Sequence, residues 1–404
     1  MNNTTSLLEK LEKWNNELAR GLVLNNVILS LYITIGLLGN VTVILIYGFK
    51  MKGNNEERYF IPVLAFMDLI TSLSCAVIAI AMNMTQVTFS NTDLCKFLRF
   101  FGSFSSFTSV LFLLIIAVHR YLKVCKPFRK QMTLKWKRLA LCLGVLVAFI
   151  LAAPMAYFHG SVPFPNKEEG IFGQQCSRLK TVNKTESLIF GSVIVLSTVS
   201  VIVALICLYS RIGYTILKHF KHKKTIRKKN RNATAENPPN IMDCNLQAGF
   251  SSGENLHSDS EIEVYSIEVG NSVTSAASST PQSTGTLITT TGVPPQGNPA
   301  LYKSSAKRRK EQANKRVVYK FTLMFMLITI IFLICYIPKV IIMMLEAMNP
   351  KFWEEFSDST RAGILFVYRM YIINNVVNPF IYAFLDHQFI AEIKELFKNC
   401  KMAN

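Results

Sequence analysis

The chain has 404 residues, of which 50% are hydrophobic and 17% are charged, and its formal net charge is +19. Such a basic balance can indicate a nucleic-acid-binding protein, but here Lys and Arg gather beside long apolar stretches. Basic residues in that position are explained by membrane topology and anionic membrane lipid, so the composition argues against nucleic acid as a partner.

The first predicted element is a short amphipathic helix within residues 1–21. Leu7, Leu11, Trp14 and Leu18 repeat every three or four residues, which is the spacing of one helix face. Two placements are open, because such a helix can fold over a ligand entrance or lie on the lipid surface. The segment has no basic start followed by an apolar core, so we predict no cleavable signal peptide.

Seven charge-poor apolar stretches follow, and each is long enough to cross a bilayer. A helix needs about 20 apolar residues to cross a hydrocarbon layer that is roughly 30 Å thick. The stretches, called spans 1 to 7, run approximately over 22–49, 59–86, 97–122, 138–158, 187–210, 320–346 and 362–385. A soluble fold rarely needs seven buried helices of this length. The sequence therefore predicts an all-α integral membrane protein, a seven-transmembrane helix bundle over residues 22–385.

The positions of Lys and Arg predict how the bundle is oriented. Residues 123–138, between spans 3 and 4, hold seven basic residues and no acidic one, and residues 211–231, after span 5, hold nine basic residues. Positively charged loops stay in the cytoplasm. Seven crossings then place residues 1–21 outside and the C-terminus inside, as in a multi-pass protein of the plasma membrane.

Cysteine and sequon positions agree with this orientation. Of nine cysteines, only Cys95 and Cys176 fall in predicted outside segments, and two thiols in an oxidising compartment usually pair. We therefore predict a disulfide between them. Asparagines in outside glycosylation sequons are Asn2, Asn3, Asn83 and Asn183. The pattern is weak evidence, since Asn40 and Asn232 match it where no glycan can be added.

Residues 232–302 mark the clear break in composition along the chain. Ser, Thr, Gly, Pro and Asn dominate there, and no amphipathic period is present. A segment of this kind cannot bury enough apolar surface to become ordered. We expect a disordered insert within a third cytoplasmic loop that covers residues 211–320.

The tail, residues 386–404, predicts an eighth helix. Phe389, Ile393 and Leu396 recur at helical spacing, so the tail should lie flat on the inner membrane surface as a short amphipathic helix. Cys400 in this tail is a candidate palmitoylation site, with a plain thiol as the alternative.

Polar side chains inside the spans are costly in lipid, so each of them is a candidate functional residue. Asp68 lies in the middle of span 2, with no other charge between Arg58 and Asp93. The polar residues that can join it within one bundle are Ser109, Asn374 and Asn378. Their oxygens suit a sodium ion with water, and the alternative is a water-filled hydrogen-bond network without an ion. No other cofactor is predicted.

Spans 3, 6 and 7 carry further candidates. Arg120 ends span 3, about one membrane thickness of helix away from Cys95. Pro338 and Pro379 each remove a backbone donor and should kink spans 6 and 7. The side chains that share one face around the span 6 kink are Phe332, Tyr336 and Lys339.

In this order and at these spacings, the motifs resemble those of the rhodopsin-like (class A) G protein-coupled receptors across all seven spans. The matching segments are Gly39-Asn40-Val41, Leu64-Ala65-Phe66-Met67-Asp68, Cys95 with Cys176, His119-Arg120-Tyr121, Tyr209, Cys335-Tyr336-Ile337-Pro338 and Asn378-Pro379-Phe380-Ile381-Tyr382. The resemblance implies that an outside ligand shifts the population between two bundle arrangements. Span 6 then swings outward and the opened cleft admits a heterotrimeric G protein, with arrestin and receptor kinases as further partners.

The resemblance also assigns roles to particular residues. Arg120, Tyr209 and Tyr382 would stabilise the open state, and sodium at Asp68 would favour the closed state. The implied activation switch further includes His119, Tyr121, Phe332, Tyr336, Pro338, Asn378 and Pro379. His119 departs from the family, which usually has an acid there, so we expect a weakly latched closed state and raised basal signalling. Tyr336 stands at the position of the usual tryptophan.

The resemblance narrows the class of ligand. Amine receptors place an aspartate where this chain has Gly102, and opsins need a lysine in span 7, which is absent here. The outside loop 159–186 is long and polar, like the hairpin that peptide receptors lay over an open pocket, so we expect a peptide. The predicted pocket residues are Gly102, Ser103, Ser106, Lys339, Met343 and Tyr368. Because Lys339 can anchor an anionic group, a small acidic or lipid ligand is the alternative.

The sequence also bears on the role of Arg369 and on alternative functions. For Arg369 we favour an interfacial position or a pair with Glu346 over a role in the pocket. A channel or carrier is disfavoured, because the chain shows no internal repeat. An enzyme is disfavoured as well, since no metal-ligand spacing, nucleophile elbow or phosphate-binding glycine loop is present. A constitutively active or decoy receptor is the last alternative.

Overall fold

The computed structural model describes residues 2–51, 58–166, 169–179, 183–236, 299–349, 352–354 and 356–402. The chain forms two compact units, residues 1–224 with 309–404, and residues 225–308. In the second unit, only the helical ends 225–236 and 299–308 are described. Most of the predicted insert 232–302 therefore lies outside the described residues, and the fold given below is that of the first unit.

Seven helical segments within the described residues are long and apolar enough to cross a membrane, which confirms the predicted spans. They are Val23–Lys50, Phe60–Met84, Thr92–Cys125, Leu134–Phe158, Leu188–His219, Ala313–Glu346 and Ser359–Leu385. Helices suit a lipid environment because every backbone donor and acceptor in the middle of a helix forms its hydrogen bond within that helix. Spans 3 and 6 are longer than predicted, at 34 residues each.

The individual elements are labelled in chain order. They are α1 (Asn2–Arg20), α2 (Val23–Val43) continued by a π-helical segment (Ile44–Lys50), α3 (Phe60–Met84), α4 (Thr92–Cys125), α5 (Leu134–Ala152), α6 (Pro154–Phe158), β1 (His159–Asn166), β2 (Ile171–Arg178), α7 (Lys184–Glu236), α8 (Pro299–Met348), α9 (Asp358–Arg369), α10 (Ile373–Leu385) and α11 (His387–Met402). Helix α11 confirms the predicted eighth helix. A 3-10 turn at Met370–Ile372 divides span 7 into α9 and α10, a break that the sequence did not indicate.

Small residues in span 1 bring the helices of the bundle close together. A Cβ atom added to Gly36 would lie 2.6 Å from Oγ of Ser72, and one added to Gly39 would lie 2.8 Å from Cγ of Pro379. Spans 2 and 7 therefore approach the backbone of span 1 more closely than any side chain would allow. Pro338 and Pro379 lie inside α8 and α10, and the kinks expected there stay a prediction.

One end of the bundle, called the disulfide end, carries a two-stranded antiparallel sheet of β1 and β2. Cys95 and Cys176 form a disulfide with 5.5 Å between their Cα atoms, which confirms the predicted pair. This bond ties β2 to the start of span 3. The opposite end, where span 3 finishes near Arg120, is called the Arg120 end.

Helix α1 packs against the disulfide end. The Trp14 ring stacks on Phe164 of β1 at 5.9 Å between centroids. The buried Asn15 amide donates to the Met84 carbonyl at 2.8 Å and its oxygen accepts from the Val87 backbone N–H at 3.2 Å. These contacts hold α1 at the disulfide end, and a ligand entrance beneath it stays a prediction.

Candidate functional site

A buried polar network lies in the middle of the bundle. Asp68 is fully buried, and its carboxylate accepts a hydrogen bond of 2.6 Å from the side-chain amide of Asn378. The Ser109 hydroxyl lies 3.3 Å from Asp68 Oδ1 and 3.1 Å from Asn375 Oδ1. Spans 2, 3 and 7 are thus joined by hydrogen bonds in the middle of the bundle.

The oxygens of this network fit a small hard cation. Within the described residues, Oδ1 of Asn374 and Oδ1 of Asn378 are buried and have no hydrogen-bond partner. Buried acceptors without a donor are costly, and a bound cation or water would satisfy them. Of the four predicted sodium ligands, Ser109 and Asn378 each contact Asp68 directly. At Ser109, however, the amide in contact is that of Asn375 rather than Asn374.

At the Arg120 end, aromatic rings of span 6 pack on the Arg120 side chain. The Arg120 side chain is fully buried, with its Cζ atom 4.8 Å from the centroid of Phe325 and 6.0 Å from that of Phe321. An arginine over an aromatic face is stabilised by a cation–π interaction. His119 is also buried, against Phe60 at 5.1 Å, and neither ring nitrogen has a hydrogen-bond partner among the described residues.

A second polar cluster at this end surrounds Asp386, between α10 and α11. Its carboxylate accepts hydrogen bonds from Lys320 Nζ at 2.9 Å and from the Tyr47 hydroxyl at 2.8 Å. Arg58 Nη2 lies 3.9 Å away, and Asp386 also accepts from the Gln388 backbone N–H at 3.2 Å. Burial alone would raise the pKa of Asp386, but the hydrogen bonds from Lys320 and Tyr47 lower it below its ordinary value. The carboxylate is therefore ionised.

Lys339, Arg99 and Arg369 are three of the cations at the disulfide end. Lys339 Nζ is 3.4 Å from the centroid of the Tyr371 ring and 5.8 Å from that of Tyr368. Arg99 Nη2 donates to the Cys176 carbonyl at 2.9 Å. Arg369 is the residue after Tyr368, and its Nη2 donates to Asn83 Oδ1 at 2.8 Å.

These cations lack anionic partners within the part of the chain that the structure describes. None of the ion pairs found there includes Arg99, Lys339 or Arg369. Nε of Arg99 and Nη1 of Arg369 are moreover buried without a hydrogen-bond acceptor among the described residues. Buried donors of this kind favour an incoming anionic group.

The sequence matches the model of the rhodopsin family of seven-transmembrane receptors over residues 39–382. This chain is a rhodopsin-family receptor. The family consists of receptors rather than enzymes, and the seven helices that could cross a membrane agree with a multi-pass membrane protein.

Individual relatives of the receptor have different ligands in their names. It is 28% identical to the [Phe13]-bombesin receptor of Bombina orientalis over 48% of this chain and 51% of that one. It is 33% identical to succinate receptor 1 of Mus musculus over 38% of this chain and 50% of that one. A shorter match of 72 residues to a purinoceptor of Homo sapiens reaches 46% identity over 17% of this chain and 19% of that one. The chain spans about half the length of the first two relatives.

The predicted pocket residues of the receptor do not all have free side chains. Ser106 is buried, with its hydroxyl 3.7 Å from the Cys75 sulfur. A Cβ on Gly102 would meet Ile78 at 3.3 Å, so this position lies against span 2. Tyr368 contacts Lys339, while Ser103 and Met343 are half-buried.

The predicted switch residues are mostly buried in the receptor core. Tyr336 packs on Phe332 at 4.9 Å and on Tyr371 at 6.0 Å between ring centroids, so the tyrosine fills the position expected for a tryptophan. Tyr209 and Tyr382 are buried as well, and the Tyr382 hydroxyl has no hydrogen-bond partner among the described residues. Tyr121, next to Arg120, is half-buried.

Two sequence interpretations are corrected by side-chain contacts. Asn83 was expected to be an outside sequon, but it is fully buried and its amide donates to Asn26 at 2.6 Å. For Arg369, an interfacial position or a pair with Glu346 was expected. Among the described residues the pair with Glu346 is not formed, and Arg369 Nη2 instead donates to Asn83 Oδ1 at 2.8 Å. A glycan on Asn83 would break both contacts.

Sequence reasoning missed Asp386 and Arg99. Asp386 follows directly after the last apolar residue of span 7 and precedes a helix, which is the pattern of a helix-capping residue. Arg99 lies one helical turn after Cys95, so it had to face either the bundle or the membrane interface. Both residues could have been noticed from these positions. The residues that they contact, however, are too far away in the sequence to be recognised.

Proposed function

We propose that this receptor binds an extracellular peptide and activates a heterotrimeric G protein when span 6 moves outward at the Arg120 end. The observation that carries the proposal is the burial of Arg120 beneath Phe325 and Phe321 of span 6. A G protein can reach Arg120 only when span 6 moves away. The family match supports this coupling.

The proposal includes an orientation and a domain organisation. The disulfide end faces the outside of the plasma membrane, because the basic residues that flank the spans gather at the Arg120 end. Residues 1–21 are then extracellular, 22–385 form the bundle, 211–320 the third cytoplasmic loop with the insert 232–302, and 386–404 the eighth helix and tail. Arrestin and receptor kinases are further cytoplasmic partners in this scheme.

Several modification sites belong to the same proposal. Asn183 is exposed at the disulfide end and is a candidate glycosylation site. The side chains of Asn2, Asn3 and Cys400, the remaining glycosylation and palmitoylation candidates, lie outside the described residues. A sodium ion at Asp68, Ser109, Asn374 and Asn378 is proposed as an allosteric ligand, which would supply positive charge to the unpaired oxygens described above.

Two features support a peptide as the ligand. The β1–β2 hairpin and α1 form a structured rim, in which Trp14 of α1 stacks on Phe164 of β1. A rim of this kind offers backbone groups and side chains to an extended ligand over a larger area than a small molecule can contact. The bombesin receptor among the relatives is consistent with this class.

The cations at the disulfide end indicate what the ligand carries. Arg99, Lys339 and Arg369 would receive a carboxylate of the peptide, either at its C-terminus or on an acidic side chain. The same cations support a second candidate, a small acidic ligand, since they would bind a dicarboxylate or a phosphate equally well. The succinate receptor and the purinoceptor among the relatives favour testing it.

Nucleotide exchange on purified G proteins, with the receptor in lipid nanodiscs, tests both candidates. Pools of peptides with free or amidated C-termini, dicarboxylates and nucleotides are compared for activation. Lys339→Met and Arg369→Met should each lower the affinity for an anionic ligand, because each removes one positive charge near Tyr368. Lys96→Met is the matched control, since the Lys96 side chain is 40% exposed and pairs with Asp93 on the same helix.

The outcomes separate the alternatives. A peptide that loses potency on amidation and on Lys339→Met supports the first candidate, and a response limited to dicarboxylates or nucleotides supports the second. A receptor that gives ion current or solute uptake but no nucleotide exchange would be a channel or carrier. Absence of exchange with every G protein, with or without ligand, would leave the decoy alternative.

A further inference from the structure

We infer that Lys320 and Asp386 form the latch that holds span 6 closed in this receptor, in place of the acidic neighbour that Arg120 lacks. The inference rests on the proposed function, because a latch has meaning only if span 6 moves. It concerns a pair of residues that lie 66 positions apart in the sequence.

The geometry of the pair joins a mobile element to a fixed one. Lys320 lies on α8 near the Arg120 end, and its Nζ is 2.9 Å from Asp386 Oδ1. The Asp386 side chain is fully buried, while that of Lys320 is 35% exposed. A charge-assisted hydrogen bond of this length is lost when span 6 moves outward by a few ångströms.

Asp386 is suited to be the fixed partner because two other residues, Tyr47 and Arg58, also hold its carboxylate. The Tyr47 hydroxyl of span 1 donates to it at 2.8 Å, and Tyr47 itself stacks on Phe389 of α11 at 5.2 Å. Arg58, before span 2, lies 3.9 Å from the same carboxylate. When Lys320 leaves, Asp386 keeps Tyr47 and Arg58, so no buried charge is left without a partner. The latch can therefore open without the large cost of an unpaired buried ion.

The Lys320–Asp386 pair and the Arg120 contacts occupy one stretch of span 6. Phe321, the residue after Lys320, has its ring 6.0 Å from Arg120 and 5.7 Å from Arg58, and Phe325 follows one turn later. Outward movement of this stretch breaks the ion pair and removes the rings from Arg120 together. The two contacts are thus coupled parts of the same closed state.

A double-mutant cycle in the full chain tests the latch. Lys320→Met removes the charge but keeps the length of the stem, and Asp386→Asn removes the charge but keeps an acceptor for the Gln388 N–H. Each single variant is expected to raise basal nucleotide exchange by about 1.5- to fivefold. The double variant should exceed the larger single effect by little, since both changes break one contact. Lys320→Arg retains the charge and should stay near wild type.

Arg316→Met is the control, because Arg316 is an exposed cation one turn away on α8. It should leave basal exchange unchanged. If both single effects add fully in the double variant, or if Arg316→Met has the same effect as Lys320→Met, the pair is not a specific latch and the inference is overturned.

A distance measurement keeps this inference separate from G protein coupling. Spin-labelled amino acids replace the exposed residues Trp136 of α5 and Val317 of α8, and pulsed electron resonance reports the distance between them without a G protein. The latch predicts a larger long-distance population in Lys320→Met and in Asp386→Asn than in wild type. If thermally stable variants keep the wild-type distances, the latch is refuted. If the distances lengthen while no G protein responds, the latch stands and the proposed function fails.

Discussion

The Cζ atom of Arg120 lies 4.8 Å from the centroid of the Phe325 ring, so spans 3 and 6 meet through a cation and an aromatic face. The residue before Arg120 is His119, which cannot supply a carboxylate. The Phe325 ring stabilises the Arg120 side chain through a cation–π interaction. A weakly latched closed state stays a prediction, because rings of span 6 also contact Arg120.

Loss of the aromatic face should therefore raise basal activity. Phe325→Leu keeps an apolar side chain but removes the cation–π contact, which is worth about 0.5–2 kcal/mol. We expect basal nucleotide exchange to rise by about two- to thirtyfold, the range that corresponds to this free energy. Exchange is measured without ligand at matched receptor concentration. Phe384→Leu is the control, because Phe384 is 80% exposed, and an equal rise there would refute the role of the ring.

Acid should weaken the disulfide end through His159, which begins β1. Burial, together with the positive charges of Arg99 and Arg178, lowers the pKa of His159 to about 3. Its ordinary value is 6.5, so between pH 6.5 and about 3 the unfolded chain binds a proton that the folded chain does not. Stability therefore falls as the pH is lowered through this window.

A histidine substitution checks the sign of this effect. His159→Asn keeps a side-chain donor near the Met155 carbonyl, which His159 Nδ1 approaches at 3.0 Å. Going from pH 7 to pH 5, this variant should lose less thermal stability than wild type. His387→Asn, at an exposed histidine, should lose as much as wild type. A larger loss in His159→Asn than in wild type would contradict the assignment.

Helix α1 should depend on one buried asparagine for its position. Asn15 bonds both the Met84 carbonyl and the Val87 N–H, and leaving these groups unpaired costs about 1–3 kcal/mol. We expect Asn15→Ala to increase amide hydrogen exchange in α1 by about fivefold or more, measured by mass spectrometry. Asn16→Ala, at the exposed neighbouring position, should leave exchange in α1 unchanged. Equal protection in both variants would show that α1 is held by its apolar face alone.

The parts of this receptor that depend on local pattern could be predicted from the sequence. Spans follow from apolar length, the disulfide from two outside cysteines, and the eighth helix from the spacing of Phe389, Ile393 and Leu396. The 3-10 turn at Met370–Ile372 could not be predicted, because it carries no proline or glycine signal. Its position depends on how α9 and α10 pack in the bundle.

Contacts between residues that are far apart in the chain could not be predicted from the sequence. Asp386 lies 339 positions from Tyr47, and only the packed bundle shows that they meet. The sequon at Asn83 was identified from three consecutive residues, which contain no information on burial. Asp68 is the opposite case, since a single carboxylate in an apolar span must find polar partners, and residue types alone identified Ser109 and Asn378.

The polar network around Asp68 leads to a final prediction, which separates a sodium ion from a network of water. Wild type is compared in sodium chloride and in an equal concentration of N-methylglucamine chloride. Sodium should raise the unfolding temperature and lower basal nucleotide exchange, because the cation satisfies the unpaired oxygens of Asn374 and Asn378. Asp68→Asn removes the charge that holds the cation, so both effects should disappear. Asn374→Ala should reduce them, whereas Asn375→Ala should chiefly disturb Ser109, which Asn375 contacts at 3.1 Å. A sodium response that persists in Asp68→Asn would place the ion elsewhere, and no response in wild type would leave water as the occupant.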